Sequence, residues 1–436
     1  MFNKIIEFTQ NKTKYLYENS LFLQNIDKLI LTSVIAVFLS STVMSSDVIG
    51  FIALITVFLT FIKTLFKPDE RLDCKNFELW LLAYFMIVII SLAGSTLFAL
   101  SLKGFFKTFT YLAFYASLVQ YLKNNKAKTP ILLGTIGVCV SFEAVIGFMQ
   151  NFAQVSEIST WQDVSNLNPE QVMTRVYGTL KPLNPNLLGG YFVAGIPAIY
   201  GLSAYFLNEK KFKYSAVALV LALLSTITLF LTGCRGSYIG MMVIMTGMFA
   251  VSAKYLWQNY KQIYLSVVSG VVALGTFAVL LSSSLRARVL SIFAMRQDSS
   301  NSFRFNVYQS SFEMFKDNWL LGIGVGNKNF REIYGLYMKT GFDALSAYNI
   351  YLEIAVESGI FALIAYLGFL ITLIKDAIKF ILKSTDTNAV IFIASALISI
   401  CAVSIHGLVD TVFFRPQIQF VFWTMVAIAR TFIKLI

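Results

Sequence analysis

About a dozen apolar stretches, most of them long enough to cross a bilayer, follow one another along this chain with short charged connections between them. Few other patterns constrain a fold so tightly. An apolar helix of about 20 residues spans the hydrocarbon core, and backbone there must satisfy its own hydrogen bonds. Of the 436 residues, 57% are hydrophobic and only 13% charged, too little charge to cover a water-soluble surface of this size. The expected class is therefore an all-α polytopic membrane protein with about 12 transmembrane helices.

The expected spans are 29–44, 48–66, 77–98, 104–122 and 130–150, then 186–207, 214–232, 236–253 and 263–282, and finally 349–374, 388–409 and 414–433. This divides the chain into a tail (1–28), five helices (29–150), an outer loop (151–185), four helices (186–282), a large helical outer loop (283–346) and three last helices (347–436). The tail mixes lysines with Phe, Ile, Tyr and Leu, without the continuous apolar core of a signal peptide. It reads as an amphipathic helix on the membrane surface.

Charge sets the orientation. An even number of spans puts both termini on one side, and that side holds 21 of the 35 Lys and Arg residues. The short connections opposite hold four: Lys103, Lys107, Arg235 and Arg415. The positive-inside tendency then makes both termini cytoplasmic and turns the two long loops outward, to the periplasm where the cell has one. The net charge of +12 lies mostly at the membrane boundary, so nucleic acid is not an expected partner. The four cysteines stand singly, without metal-ligand or disulfide spacing.

Chemistry is thereby confined to the outer face. The first loop ends Arg175-Val-Tyr-Gly-Thr-Leu-Lys181-Pro-Leu-Asn-Pro-Asn186, with Asn186 a candidate helix cap and Arg175 and Lys181 on one rim. Thr232-Gly-Cys-Arg235-Gly-Ser forms a tight connection on the side where positive charge is sparse. That location favours anion binding over simple headgroup anchoring. In the second loop, aromatics at helical spacing predict a peripheral helix capped by Ser-Asn-Ser, with Arg304 in its first turn beside the positive helix end. Gly322-Ile-Gly-Val-Gly326-Asn327 lacks the strand and lysine of a nucleotide loop and reads as a tight turn between surface helices. Asn349, Glu353 and Glu357 enter the tenth span, and carboxylates at that depth require a partner or a wet cavity. A structural ion pair with a loop arginine is the competing reading. His406, Asp410 and Arg415 share the last outer turn, beside Tyr348 as a further titratable candidate.

In order along the chain, Arg175…Asn-Pro-Asn, Cys-Arg235-Gly-Ser, Arg304 ahead of Gly-Ile-Gly-Val-Gly-Asn, and Asn349-Ile-Tyr-Leu-Glu353…Glu357-Ser-Gly resemble the O-antigen ligase and O-antigen polymerase superfamily. The resemblance covers about residues 170–430. It implies a GT-C-like glycosyltransferase of the bacterial inner membrane. Such an enzyme moves a glycan from polyprenyl diphosphate to an acceptor lipid or glycan on the outer side, with no metal and no nucleotide-sugar cofactor. Arg235 and Arg304 would hold the diphosphate, with Arg175, Lys181, Asn186 and Asn349 as further substrate-binding candidates. The catalytic candidates are Glu353, Glu357, Asp410, His406 and Tyr348.

One departure stands out. The ligases carry a histidine just before the Asn-x-x-Leu helix start, where this chain has Ser346-Ala347-Tyr348, and a tyrosine is a poor base at neutral pH. The wording there, with His406-Gly-Leu-Val-Asp-Thr-Val and Arg415-Pro, looks closest to a cyanobacterial branch whose members are named bicarbonate transporters. Anion transport is thus the alternative function, and non-catalytic binding of a lipid-linked glycan a third. Two long outer loops suit an extended amphiphilic donor better than a small ion.

Overall fold

A computed structural model describes residues 2–67, 72–153, 175–294 and 298–433. The described residues form helices and connections, with no strand. The helices are α1 (Phe2–Asn19), α2 (Leu21–Gln24), α3 (Ile26–Ser41), α4 (Ser46–Phe66), α5 (Asn76–Gly94), α6 (Phe98–Asn124), α7 (Thr129–Gln150), α8 (Pro185–Asn208) and α9 (Phe212–Leu231). After them come α10 (Arg235–Leu256), α11 (Lys261–Leu281), α12 (Ser283–Leu290), α13 (Ser299–Asp317), α14 (Asn327–Tyr334), α15 (Ile350–Lys383), α16 (Thr387–His406) and α17 (Pro416–Phe432).

Nine of the described helices are long and apolar enough to cross a membrane: α4, α5, α7 to α11, α15 and α16. The protein is integral to the membrane. The other three expected spans are also helices. Two of them, α3 and α17, have 16 and 17 residues, and α6 carries Lys103, Lys107 and Lys123 along its length.

Helix α8 is the centre of the bundle, buried on almost every side by α7, α9, α10, α16 and α17. Small residues permit this, because association in lipid rests on close packing rather than on a hydrophobic drive. At Gly201 the α8 backbone meets Ser395 of α16, where a side chain would collide with the serine hydroxyl. Helix α17 is similarly enclosed. At the cytoplasmic end by the charge reading, its Arg430 reaches Glu78 at 3.2 Å and Asp73 at 3.2 Å. On the same side Asp27 joins Lys63 at 2.9 Å and Lys67 at 2.6 Å. In contrast, no residue of α11 is buried.

Helix α15 is broken. Gly359 has φ 80° and ψ 176°, far from helical values. Freed backbone groups at that depth need partners, and the loop before α14 supplies them. Ile323 and Gly324 N–H donate to the Val356 and Glu357 carbonyls at 3.0 and 2.9 Å, while Ile360 N–H donates to Trp319 O at 2.8 Å. The glycine run is therefore not a turn between surface helices but a segment inserted against the break. Gly322, Gly324 and Gly326 all have positive φ, and a side chain at Gly322 would strike the Glu357 backbone.

Two further local expectations change. Asn184, not Asn186, caps α8, accepting from Asn186 N–H at 2.7 Å. Asp298 caps α13, accepting from Asn301 N–H at 2.9 Å, so the helix starts earlier than Ser-Asn-Ser suggests. Arg304 consequently falls in the second turn, where the macrodipole has faded.

Candidate functional site

A cavity of about 1480 Å³ opens between α4, α6, α10, α12, α13, the start of α15 and the 409–416 turn. It gathers residues that are remote in sequence.

Arg175 arrives on an extended segment pinned to its neighbours. Thr179 donates to the buried Glu143 through its N–H (2.8 Å) and its hydroxyl (2.6 Å). Gln150 Oε1 accepts from Tyr177 and Gly178 N–H, and Val176 N–H reaches Leu231 O. Glu143 therefore holds this loop in place. So anchored, Arg175 donates from Nε to Thr232 O at 2.8 Å and from its guanidinium to Asn186 Oδ1 at 2.6 Å. Arg288 Nε donates to the next carbonyl along this turn, Gly233 O, at 2.7 Å. Both guanidiniums thus sit on the negative end of α9 and rest on uncharged acceptors.

The other two arginines have carboxylates. Arg235 reaches Asp298 at 2.9 Å and also donates to Ser291 O and Oγ. Arg304 lies 3.6 Å from Asp410 and donates to Ser300 Oγ at 3.1 Å, while its buried Nε has no hydrogen-bond partner. These four arginines therefore face one hollow, two of them without a neutralising charge, and Arg415 lines it as well. Burial, and after it repulsion from Arg175 and Arg235, pushes Arg288 down to about 10. Burial lowers Arg175 likewise, with Arg235 and Arg304 adding to the effect. An incoming anion relieves that repulsion.

Asn186 links the two halves. Besides receiving Arg175, it donates to Asp410 Oδ2 at 3.2 Å. Asp410 Oδ1 accepts from Thr411 and Val412 N–H at 2.7 and 3.1 Å, so this carboxylate is heavily engaged. Tyr348 stands over Arg304, its ring centre 5.8 Å from the guanidinium carbon, with a left-handed φ of 51°. Such a conformation is uncommon outside glycine and clusters at functional sites. Burial, with Asp410 adding to it, pushes the Tyr348 phenol up to about 12.

Glu353 and Glu357 line the deep end of the cavity, and neither forms an ion pair among the described residues. Glu353 Oε2 accepts from Ala347 N–H at 3.1 Å and Glu357 Oε1 from Gly326 N–H at 2.8 Å. The other oxygen of each takes no protein hydrogen bond among the described residues.

Three candidates are not part of the cavity wall. His406 is buried behind it, 3.8 Å from the Cys234 sulfur. Asn349 caps α15, accepting from Tyr351 and Leu352 N–H, and ties it to Leu408 O. Lys181 is exposed, and its carbonyl accepts from Gln417. Among the residues of the arginine cluster, sequence reasoning does not single out Arg288 or Asp298. The Asp298 spacing to Asn301 was the readable signal, since Asp three residues before a helical N–H is a cap pattern.

A family profile described as O-antigen ligase matches residues 219–367, which run from α9 through the outer helices into α15. Over these residues, about a third of its length, the chain is similar to that family. It is also 26% identical over 193 residues to the teichuronic acid biosynthesis protein TuaE of Bacillus subtilis (strain 168). That match takes in 42% of this chain and 38% of the relative, so the chain spans well under half of the relative's length.

Proposed function

We propose that this chain is a member of the O-antigen ligase and polymerase superfamily, an envelope-polysaccharide glycosyltransferase that takes its glycan from a polyprenyl diphosphate on the outer side of the membrane. The observation that carries the reading is the gathering of Arg175, Arg235, Arg288 and Arg304 at one cavity whose deep end holds two carboxylates free of ion pairs. Guanidinium forks match phosphate oxygens and stabilise charge on a departing diphosphate. The name of the teichuronic acid relative points to the same class of cell-surface polymer.

In this reaction an acceptor hydroxyl attacks the anomeric carbon. The new C–O bond forms as the bond to the diphosphate breaks, and the leaving group keeps the electron pair among the arginines. The hydroxyl proton goes to Glu353. Tyr348 stays protonated with a pKa of about 12, His406 lies off the wall, and Asp410 already accepts several hydrogen bonds. Glu353 lines the cavity, accepts from Ala347 N–H through one oxygen and keeps the other open. Glu357 is bonded to the glycine segment and positions it.

Deletion of the gene, with surface polysaccharide profiled by gel and by sugar composition, tests the reading. Loss or shortening of a surface polymer is expected, restored by the native gene but not by Arg235→Ala or Arg304→Ala. Unchanged polysaccharide together with impaired bicarbonate uptake would assign the arginines to anion transport instead.

A further inference from the structure

Beyond the arginines, the cavity carries a second group of cations. Helix α6 and the glycine segment touch backbone to backbone: a side chain at Gly104 would strike the Val325 carbonyl and the Gly326 Cα. Lys103 and Lys107 lie next to that crossing on α6, one turn apart, and Lys328 lies two residues beyond Gly326 in the first turn of α14. All three line the cavity and are exposed.

None of the three side chains forms a hydrogen bond or ion pair among the described residues. At the opposite end, by comparison, Lys63, Lys67 and Lys123 are salt-bridged. Lys103 and Lys107, which the structure places on α6, are also two of only four basic residues that the charge reading puts on the outer side apart from the long loops, against the usual orientation bias. Neither pairing nor topology explains them.

Their chemistry differs from that of the arginine end. An ammonium is a compact, hydrated point charge, whereas the guanidinium fork suits a phosphate face. Lysines about 6 Å apart along a helix, with a third across the crossing, match single negative charges spread along an extended chain. Headgroup anchoring normally sends lysine side chains outward to the lipid surface; these instead border the hollow that holds the reacting groups.

We infer that Lys103, Lys107 and Lys328 form a second anion subsite that binds the carboxylates of an acidic glycan as it runs out of the cavity. The inference rests on the transferase reading and adds the substrate class: a uronate-bearing polymer rather than a neutral one.

The test uses the full-length protein in neutral-lipid nanodiscs and two probes, a hexameric oligogalacturonate and farnesyl diphosphate, with maltohexaose as the uncharged control. Native protein is expected to bind oligogalacturonate in a salt-sensitive way and to ignore maltohexaose. The Lys103→Gln/Lys107→Gln/Lys328→Gln variant should lose about tenfold in oligogalacturonate affinity, the sum of three exposed charge contacts. Its farnesyl diphosphate affinity should be unchanged, which also shows that it is folded, and the matching triple Lys→Arg variant should restore glycan binding. Equal oligogalacturonate binding by native and Gln variants overturns the subsite while leaving the arginine site standing. So does loss of that binding when phosphatidylglycerol is added to the nanodiscs, since headgroups then own the lysines. Absence of farnesyl diphosphate binding by native protein fails the transferase reading itself.

Discussion

Arg304 shows how much a single side chain decides here. Its guanidinium is shared between Asp410 and Ser300, and its buried Nε is unsatisfied. A buried donor without a partner costs on the order of 1–3 kcal/mol, which a phosphate oxygen recovers. Arg304→Lys keeps the charge and removes the fork, so turnover should fall about 10²-fold while the protein accumulates normally, as measured with a lipid-linked donor in membranes. Glu353→Gln should abolish transfer yet retain farnesyl diphosphate binding, because the amide still accepts from Ala347 but cannot take a proton. Arg288 gives a pH signature. With its value near 10 it is charged at neutral pH, and it loses its proton as pH rises through 10. Diphosphate affinity should therefore be level from pH 7 to 9 and decline above 10, a profile that Arg288→Ala flattens. The sequence displayed these arginines but not their partners: Asn186 and Asp410 are 224 positions apart, and no local pattern encodes that contact.

At the scale of elements, the decisive feature is the broken α15 and the glycine segment that fills the break. Gly359 must hold a positive φ, and a side chain there would meet the Leu320 carbonyl. Gly359→Ala is expected to cost about 1–3 kcal/mol from backbone strain alone, with further loss from the steric conflict, read as a lowered Tm in detergent. Because Glu357 and Gly326 share a hydrogen bond across this junction, activity should fall at temperatures where the variant is still folded. Helix positions were legible in the sequence because apolar length is a local property, and all twelve expected spans are helices. Where they begin was less so. Asn184 and Asp298 took the capping roles expected of Asn186 and of Ser-Asn-Ser, since several neighbouring polar side chains can each reach a helix end. The glycine segment misled for a different reason. Its pattern announces flexibility and close approach, but only the packed bundle reveals that the surface approached is the inside of another helix.

Over the whole molecule, charge is distributed by type as well as by side. The end carrying both termini contains closed ion pairs, Asp27 with Lys63 and Lys67, and Arg430 with Asp73 and Glu78. The other end contains the cavity, where Arg235 and Arg304 have carboxylates but Arg175 and Arg288 rest on uncharged acceptors. Such a division is what a one-sided reaction requires: fixed charges that anchor the bundle on one face and unsatisfied charges that await a ligand on the other. It also makes orientation measurable with the protein's own chemistry. Cys74 is exposed, in the connection leading into α5 at the ion-paired end. Partial desolvation by its neighbours, with the Glu78 charge adding to it, raises its thiol, so labelling is best run at mildly alkaline pH. In intact cells or spheroplasts Cys74 should resist a membrane-impermeant maleimide and react once the membrane is opened. A Leu336→Cys variant, placed on the outer helical loop where that side chain is 83% exposed, should react from outside. The reverse pattern would put the arginine cavity in the cytoplasm and end the case for an outward-facing transferase.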